Sequence, residues 1–352
     1  MMSSKRKLLL VGGSNGNAHL KNYYHLVADY FHEVLIVTNH EIDYEAFRVL
    51  NFGLKNPCEL FKSIREMRRI IIDFNPDIIH IHQANAYGFI TNYANNRCIP
   101  TVLTTWGSDV LTLPKRSLFD KWMVKYSLRK ATEITADAQF MADTIHGLVA
   151  KVPVTVANFG VEIQSIEEGL ERKNIIYSNR MHESLYQIDQ IISQLADFLS
   201  KNTDWKLHIA ASGTQTETLQ QLAEEKLPKE SFQFLGFQAG KDNQQNYLTS
   251  RIYVSIPITD GTSISLLEAL AYGCLPIVSD LPANREWIED GVNGIISSGD
   301  LSKDVERLLH MDESSVQERN KTIIDQNATK DSNRKKFLAI YDAIFSGAAF
   351  KA

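Results

Sequence analysis

Short apolar runs alternate along the chain with longer stretches in which apolar residues recur every three or four positions. In the first half the short runs are Lys7–Val11, Glu33–Thr38, Asp77–His82, Thr101–Thr105, Glu133–Ala136 and Val152–Val156. Helical periodicity fills Ala18–Phe31, Leu60–Phe74, Ala84–Asn95, Ser117–Leu128 and Gln139–His146 between them. The second half restarts the strand pattern at Asn174–Tyr177, Trp205–Ala210, Phe232–Leu235, Ile252–Ser255 and Leu275–Val278, and a last helix is expected over about Ser332–Phe345. Near-continuous apolar strands separated by amphipathic helices predict α/β architecture with parallel sheets.

The chain has 352 residues, too many for one ordinary core, so two domains are expected. Gln164–Lys173 is polar, acidic and contains Gly169, which reads as the linker. The expected organisation is a Rossmann-like domain over 1–163, a second over 174–330, and a closing helix over 331–352. Through Gly160 there are 18 Lys and Arg against 14 Asp and Glu, a net +4; from Val161 onward 19 stand against 28, a net −9. Neither half has the dense basic face of a nucleic-acid binder, so no nucleic-acid partner is expected. The three cysteines are scattered without a C-x-x-C pair, which suits a reducing cytoplasm and offers no zinc site. Met1–Gly13 is too short in apolar residues for a signal-peptide core, and no run reaches the roughly 18 residues that span a bilayer. A cytoplasmic protein is expected, with at most peripheral contact at the inner membrane face.

Candidate chemistry concentrates at residues 260–273, Asp-Gly-Thr-Ser-Ile-Ser-Leu-Leu-Glu-Ala-Leu-Ala-Tyr-Gly. This stretch follows a strand and a Pro257 turn and runs into a helix that Gly273 stops. The first amides of such a helix have no intrahelical partner and converge on one spot that attracts phosphate. Gly261, Ile264, Ser265 and Glu268 recur at helical spacing, which sets Glu268 roughly 10 Å from the amides at 1.5 Å per residue. A diphosphate at the tip and a sugar hydroxyl at Glu268 fit that separation. An ordinary βα turn with an exposed glutamate would look the same in isolation.

The sequel narrows the choice. Residues 253–296 resemble the donor-binding region of the retaining glycosyltransferases of family 4, whose hallmark is E-x(7)-E followed by an Ala-x-Ala-x-Gly-x-Pro-type run. Here the acidic pair is Asp260 and Glu268, and the run is Ala269-Leu270-Ala271-Tyr272-Gly273-Cys274-Leu275-Pro276. The resemblance implies the GT-B fold, two Rossmann-like domains facing across a cleft, with the C-terminal helix returning to the first. It implies transfer of a sugar from a nucleotide-diphosphate donor to an acceptor hydroxyl, without a metal or other cofactor. It also implies a saccharide or lipid-linked acceptor from surface polysaccharide, lipopolysaccharide or glycolipid synthesis.

The remaining site residues follow from that resemblance. Gly261, Thr262, Ser263 and Ile264 would hold the diphosphate, Glu268 the ribose, and Asp260 the transferred sugar. Arg180 matches the cation that neutralises the leaving group. The lysine that usually follows is absent, and Tyr186 in its neighbourhood would supply a neutral hydrogen bond. Gly13 and Ser14, in the glycine-containing loop after the first strand, would lie over the donor; an ordinary tight turn is the plainer reading. That loop is not G-x-G-x-x-G and no acid ends the second strand, which disfavours a dinucleotide site. Gly213 and Phe237 sit where the family holds the nucleoside. Asp109 would meet a sugar or acceptor hydroxyl, and Trp106 would either stack on a sugar or fill the core. His80 and His82 alternate on one strand without a third ligand for a metal, and His82 is taken to touch acceptor. Residues 115–130 carry six cations and one acid around Leu118, Phe119, Trp122, Met123 and Tyr126, a pattern shared by a solvated core helix and a helix that meets anionic lipid. Two rival functions share the fold: a non-catalytic partner, suggested by the altered acid and missing lysine, and a sugar-nucleotide 2-epimerase.

Overall fold

The computed structural model describes residues 5–13, 18–44, 46–54, 56–163 and 171–347. It divides into two compact units, 1–159 with 330–352, and 160–329.

The first unit is a seven-stranded sheet. Its strands are β1 (Lys7–Val11), β2 (Glu33–Thr38), β3 (Phe47–Val49), β4 (Ile78–His82), β5 (Thr101–Thr104), β6 (Glu133–Ala136) and β7 (Val154–Val156), in the order β3-β2-β1-β4-β5-β6-β7 and parallel throughout. The alternation of side chains along β1 divides the core. Leu9 and Val11 pack toward α2 (Pro57–Phe74), α3 (Ala86–Ala94), α4 (Leu118–Lys130) and α5 (Gln139–Leu148). Leu8 and Leu10 pack toward α1 (Ala18–Val27) and the last helix (Lys330–Phe345). β3 escaped the sequence reading because Arg48 and Val49 are exposed, so no buried pattern marks it. Its order comes from pairing, Ile36 with Phe47 and Thr38 with Val49.

The second unit is a six-stranded parallel sheet in the order β10-β9-β8-β11-β12-β13. The strands are β8 (Lys173–Ser178), β9 (Lys206–Ala210), β10 (Phe232–Gly236), β11 (Ser250–Ser255), β12 (Leu275–Val278) and β13 (Ile295–Ile296). Its helices are α6 (Ile188–Lys201), α7 (Thr216–Lys226), α8 (Gly240–Thr249), α9 (Ile264–Ala271), α10 (Pro282–Arg285), α11 (Leu301–Leu309) and α12 (Glu313–Asn327). Gly273 ends α9 as expected, at φ +79°, and a Cβ there would lie 2.8 Å from the Arg172 guanidinium. That guanidinium donates to the carbonyls of Tyr247, Ser250 and Tyr272, satisfying chain ends that α8 and α9 leave open. Residues 164–170 of the expected linker lie outside the described residues.

The last helix is fixed to the first sheet through a buried histidine. His80 Nδ1 lies 2.7 Å from the Tyr341 hydroxyl and 3.0 Å from that of Tyr23, the two hydroxyls bond to each other, and His80 Nε2 lies 2.7 Å from Thr104 Oγ1. Burial, with neighbouring His82, holds the His80 pKa well below its ordinary value, so the ring is neutral. On acidification below about pH 6.5 the unfolded chain takes up a proton that folded His80 refuses, and stability falls. Denaturation of the Tyr341→Phe variant should show the first unit destabilised by about 1–3 kcal/mol, the cost of breaking buried polar contacts. A His80→Gln variant should show a shallower loss of stability between pH 7 and 5 than the unaltered chain. An unchanged midpoint in the first, or an equal slope in the second, would show that this cluster does not hold the helix.

Candidate active site

In a doubly wound sheet the chain leaves neighbouring strands in opposite directions at one point, and the crevice at their carboxyl ends is where ligands bind. In the second unit that point lies between β8 and β11. Arg180 follows β8 by two residues and Asp260 follows β11 by five, so the topology alone brings them together. Arg180 Nη2 donates to Asp260 Oδ2 at 2.7 Å, and Arg180 Nη1 donates to Ser263 Oγ. The Arg180 and Asp260 side chains retain only 10% and 22% of their exposure. The guanidinium lies 4.5 Å from the centre of the Tyr186 ring, so Tyr186 presents a face to the cation. Asp260 Oδ1 accepts from the Gly261 amide at 3.0 Å. Burial pushes the Asp260 carboxyl above its ordinary range, and the charge and hydrogen bond of Arg180 pull it partway back.

Ser263 is the N-cap of α9, its hydroxyl accepting from the Leu266 amide. The helix therefore begins at Ile264, later than the spacing suggested. Gly261 belongs to the turn before it, and Glu268 lies one helical turn, about 6 Å, beyond the first helical residue.

Glu268 is held from behind by a network absent from the sequence reading. The Tyr247 hydroxyl donates toward Glu268 Oε2 at 3.1 Å, with the Ser265 carbonyl also 3.1 Å away, and Asn243 Nδ2 lies 3.4 Å from the same carboxylate oxygen. Asn179 Nδ2 donates to Tyr247 Oη at 2.7 Å and to Asn243 Oδ1 at 3.1 Å. Tyr177 and Tyr253, paired across β8 and β11, donate to Asn243 Oδ1 at 2.7 Å and Asn179 Oδ1 at 3.2 Å. Burial raises the Glu268 carboxyl above its ordinary range against the lowering influence of Tyr247 and Asn243. Tyrosines in the middle of buried strands, each needing a hydroxyl partner, were the available signal.

The structure thus gathers Arg180, Tyr186, Asp260, Gly261, Ser263, Ile264 and Glu268 at one switch point, with Thr262 in the same turn. Gly213 and Phe237 follow the adjoining strands β9 and β10. A Cβ on Gly213 would lie 2.6 Å from the His182 carbonyl, a close approach only glycine permits. Phe237 is 78% exposed, a free aromatic face.

The first unit corrects several expectations. Asp109 is 2% exposed, its Oδ2 accepting from the Ala84 amide at 2.7 Å and its Oδ1 from the Trp106 amide at 3.0 Å. It ties the loop after β4 to the loop after β5 and does not face a hydroxyl. His82 is fully buried, accepts from Trp106 Nε1 at 3.2 Å and stacks on Phe159. A buried ring cannot touch acceptor; both side chains are polar core. Trp106 is half-buried and donates its Nε1–H to His82, an arrangement that fits either of its two readings. Gly13 lies under the end of the Tyr87 side chain, and a Cβ there would displace the Tyr87 hydroxyl, 1.5 Å away. Ser14 lies outside the described residues.

Two family models match the chain: one described as glycosyl transferases group 1 over residues 160–329, and one as glycosyl transferase 4-like over residues 7–138. Solved structures of similar fold include Anabaena Alr3699/HepE in complex with UDP, with a TM-score of 0.78 at 12% identity over 96% of this chain and 100% of that one. A glycosyltransferase from Rickettsia africae ESF-5 has a TM-score of 0.79 at 18% identity over 97% and 99%. The apo form of the lipopolysaccharide outer core galactosyltransferase WaaB gives 0.73 at 16% identity, again over 97% and 99%. No curated protein matched. The structures establish the fold, the family models account for both units, and the chain is a glycosyltransferase with the GT-B fold.

Proposed function

We propose that the chain is a retaining, metal-independent hexosyltransferase that takes its sugar from a nucleotide-diphosphate donor. The carrying observation is the cluster at the switch point of the second unit: Arg180 and Ser263 at the N-terminus of α9, with Glu268 one turn along the same helix. Negative charge grows on the departing diphosphate as the glycosidic bond breaks, and donors fixed beforehand stabilise it without reorganising. Arg180, Ser263 and the first amides of α9 are such donors. Glu268 would accept from the ribose hydroxyls, and Phe237 and Gly213 would border the base. Structures of Anabaena Alr3699/HepE with UDP and with UDP-glucose support a nucleotide-sugar reading.

Asp260 takes a part in addition to orienting the transferred sugar, the one the resemblance implied. Both its oxygens already accept, one from Arg180 and one from Gly261, so its first task is to position the guanidinium. The pair is close to neutral overall, which leaves the helix amides a larger share of the diphosphate charge. Tyr186 stands where the family's second cation is missing and supports Arg180 by stacking. The acceptor is a saccharide or lipid-linked saccharide, of the kind used in surface polysaccharide, lipopolysaccharide or glycolipid synthesis. The lipopolysaccharide galactosyltransferase among the similar structures supports this pathway.

Calorimetry with UDP and UDP-glucose should show that Arg180→Ala and Glu268→Ala each lose roughly 1–3 kcal/mol of binding, as expected for a charged hydrogen bond. Arg180→Lys should not restore it, since an ammonium cannot serve Asp260 and Ser263 at once in the fork geometry. Unchanged affinity in both alanine variants would remove the site. Tyr247→Phe should weaken binding by a smaller amount, about 0.5–1.5 kcal/mol. Glu268 must be ionised to act as the ribose acceptor proposed, and its pKa is raised. UDP-glucose affinity should therefore fall as the pH drops, beginning above the usual carboxylate range; a flat profile in the Glu268→Gln variant would assign the fall to this group. For the chemistry, NMR of the product should show the anomeric configuration of the donor kept. Inversion would refute the retaining mechanism.

A further inference from the structure

Helix α4 has a buried side and an exposed side that is not a solvated polar face. Met123, Val124, Ser127 and Leu128 are buried, whereas Leu118 is 87%, Phe119 51% and Trp122 50% exposed. The exposed rings of α4 and α3 flank one ring that is itself buried, Phe89, at 6% exposure. Phe119 and Trp122 lie 6.0 Å apart, Trp122 and Phe89 5.6 Å, and Phe89 and Tyr93 6.0 Å, with Tyr93 on α3 itself 50% exposed. Large apolar side chains exposed together on one helix, as Leu118, Phe119 and Trp122 are, mark an interaction site on a folded protein.

The charge around it selects the partner. Lys115, Arg116, Lys121, Arg129 and Lys130 are exposed, and among the described residues none of them is in an ion pair. The single acid of the segment, Asp120, is turned to Ser117, which caps the helix. A protein partner would be expected to match such cations at particular points, and nothing here positions them. An anionic bilayer matches them everywhere, takes Trp and Tyr at its headgroup level and accepts Leu and Phe below it. We propose that the first turns of α4, with Tyr93 of α3, seat this protein on an anionic phospholipid surface.

The other side of the same helix gives the docking a use. Asp120 and Met123 wall a cavity of about 610 Å³ within the first unit, whose opposite wall includes Asn51, Phe52, Asn85 and Tyr87. Amides, a carboxylate and aromatic rings are groups that recognise sugar hydroxyls and faces. A surface held at Leu118 lies beside this cavity, so a lipid-carried saccharide could be received without leaving its bilayer. That use rests on the transfer reading above; the docking does not.

Co-sedimentation with phosphatidylcholine vesicles, and with vesicles of equal phosphatidylcholine and phosphatidylglycerol, tests it. The protein should pellet with the anionic vesicles only, and progressively less as salt is raised. Each of Lys121→Gln and Arg129→Gln should lower the partition coefficient by about five-fold. The double variant Phe119→Ala, Trp122→Ala should lower it at least ten-fold. UDP affinity, measured on the same preparations, should be unchanged and reports that the variants are folded. Equal pelleting with both vesicle types, no pelleting with either, or indifference to these substitutions would overturn the inference. Failure to bind UDP while still pelleting would instead count against the transfer reading alone.

Discussion

A partly buried ion pair at the end of two adjacent strands is the constraint around which the second unit is arranged. Desolvating Arg180 and Asp260 is costly, and burial of this kind persists only where the remaining hydrogen-bonding capacity is met. Here it is met by Ser263, Gly261 and the face of Tyr186. Each of those contacts also fixes part of the site: Ser263 starts α9, Gly261 turns the chain before it, and Tyr186 anchors the loop after β8. The loop's tie to the β11 side is completed by the Ile258 amide donating to the Leu185 carbonyl at 2.9 Å. Removing either charge would leave the other buried and unpaired, so the geometry that suits a diphosphate is also what the fold requires without one.

Behind the pair, Glu268 is oriented by hydroxyls and amides rather than by a cation. Tyr177, Tyr247 and Tyr253 are fully or nearly fully buried, and their polar ends converge on Asn179 and Asn243. Neutral partners orient the carboxylate while leaving its charge uncompensated, which favours a donor hydroxyl arriving from the open side. The two acids of the motif therefore differ in kind: Asp260 is paired with a cation, Arg180, and Glu268 is held by the neutral groups of Tyr247 and Asn243.

Much of this was legible before any coordinates. Near-continuous apolar runs marked the buried parallel strands, and Gly273 marked the end of α9, because both patterns are local consequences of burial and backbone geometry. Glu268 was singled out by its helical spacing and Arg180 by the resemblance, and the topology places both at one switch point. The edge strands β3 and β13 were not legible: one is exposed and the other only two residues long, so neither has a pattern of its own. The start of α9 was misjudged because Ser263 caps it, and a serine two residues after a glycine reads equally well inside or outside a helix. Asp109 and His82 were misassigned for a shared reason. Polar residues at strand ends look like site residues in sequence, and only tertiary partners, Ala84 and Trp106 for one and Trp106 and Phe159 for the other, show that they are internal.

The most direct measurement is a crystal structure of the protein soaked with a nucleotide diphosphate. The diphosphate should lie against the N-terminus of α9 within hydrogen-bonding distance of Arg180 and Ser263, with the ribose hydroxyls on Glu268. A nucleotide bound elsewhere in the chain, or a diphosphate that leaves the Arg180–Asp260 pair and Glu268 untouched, would contradict the assignment.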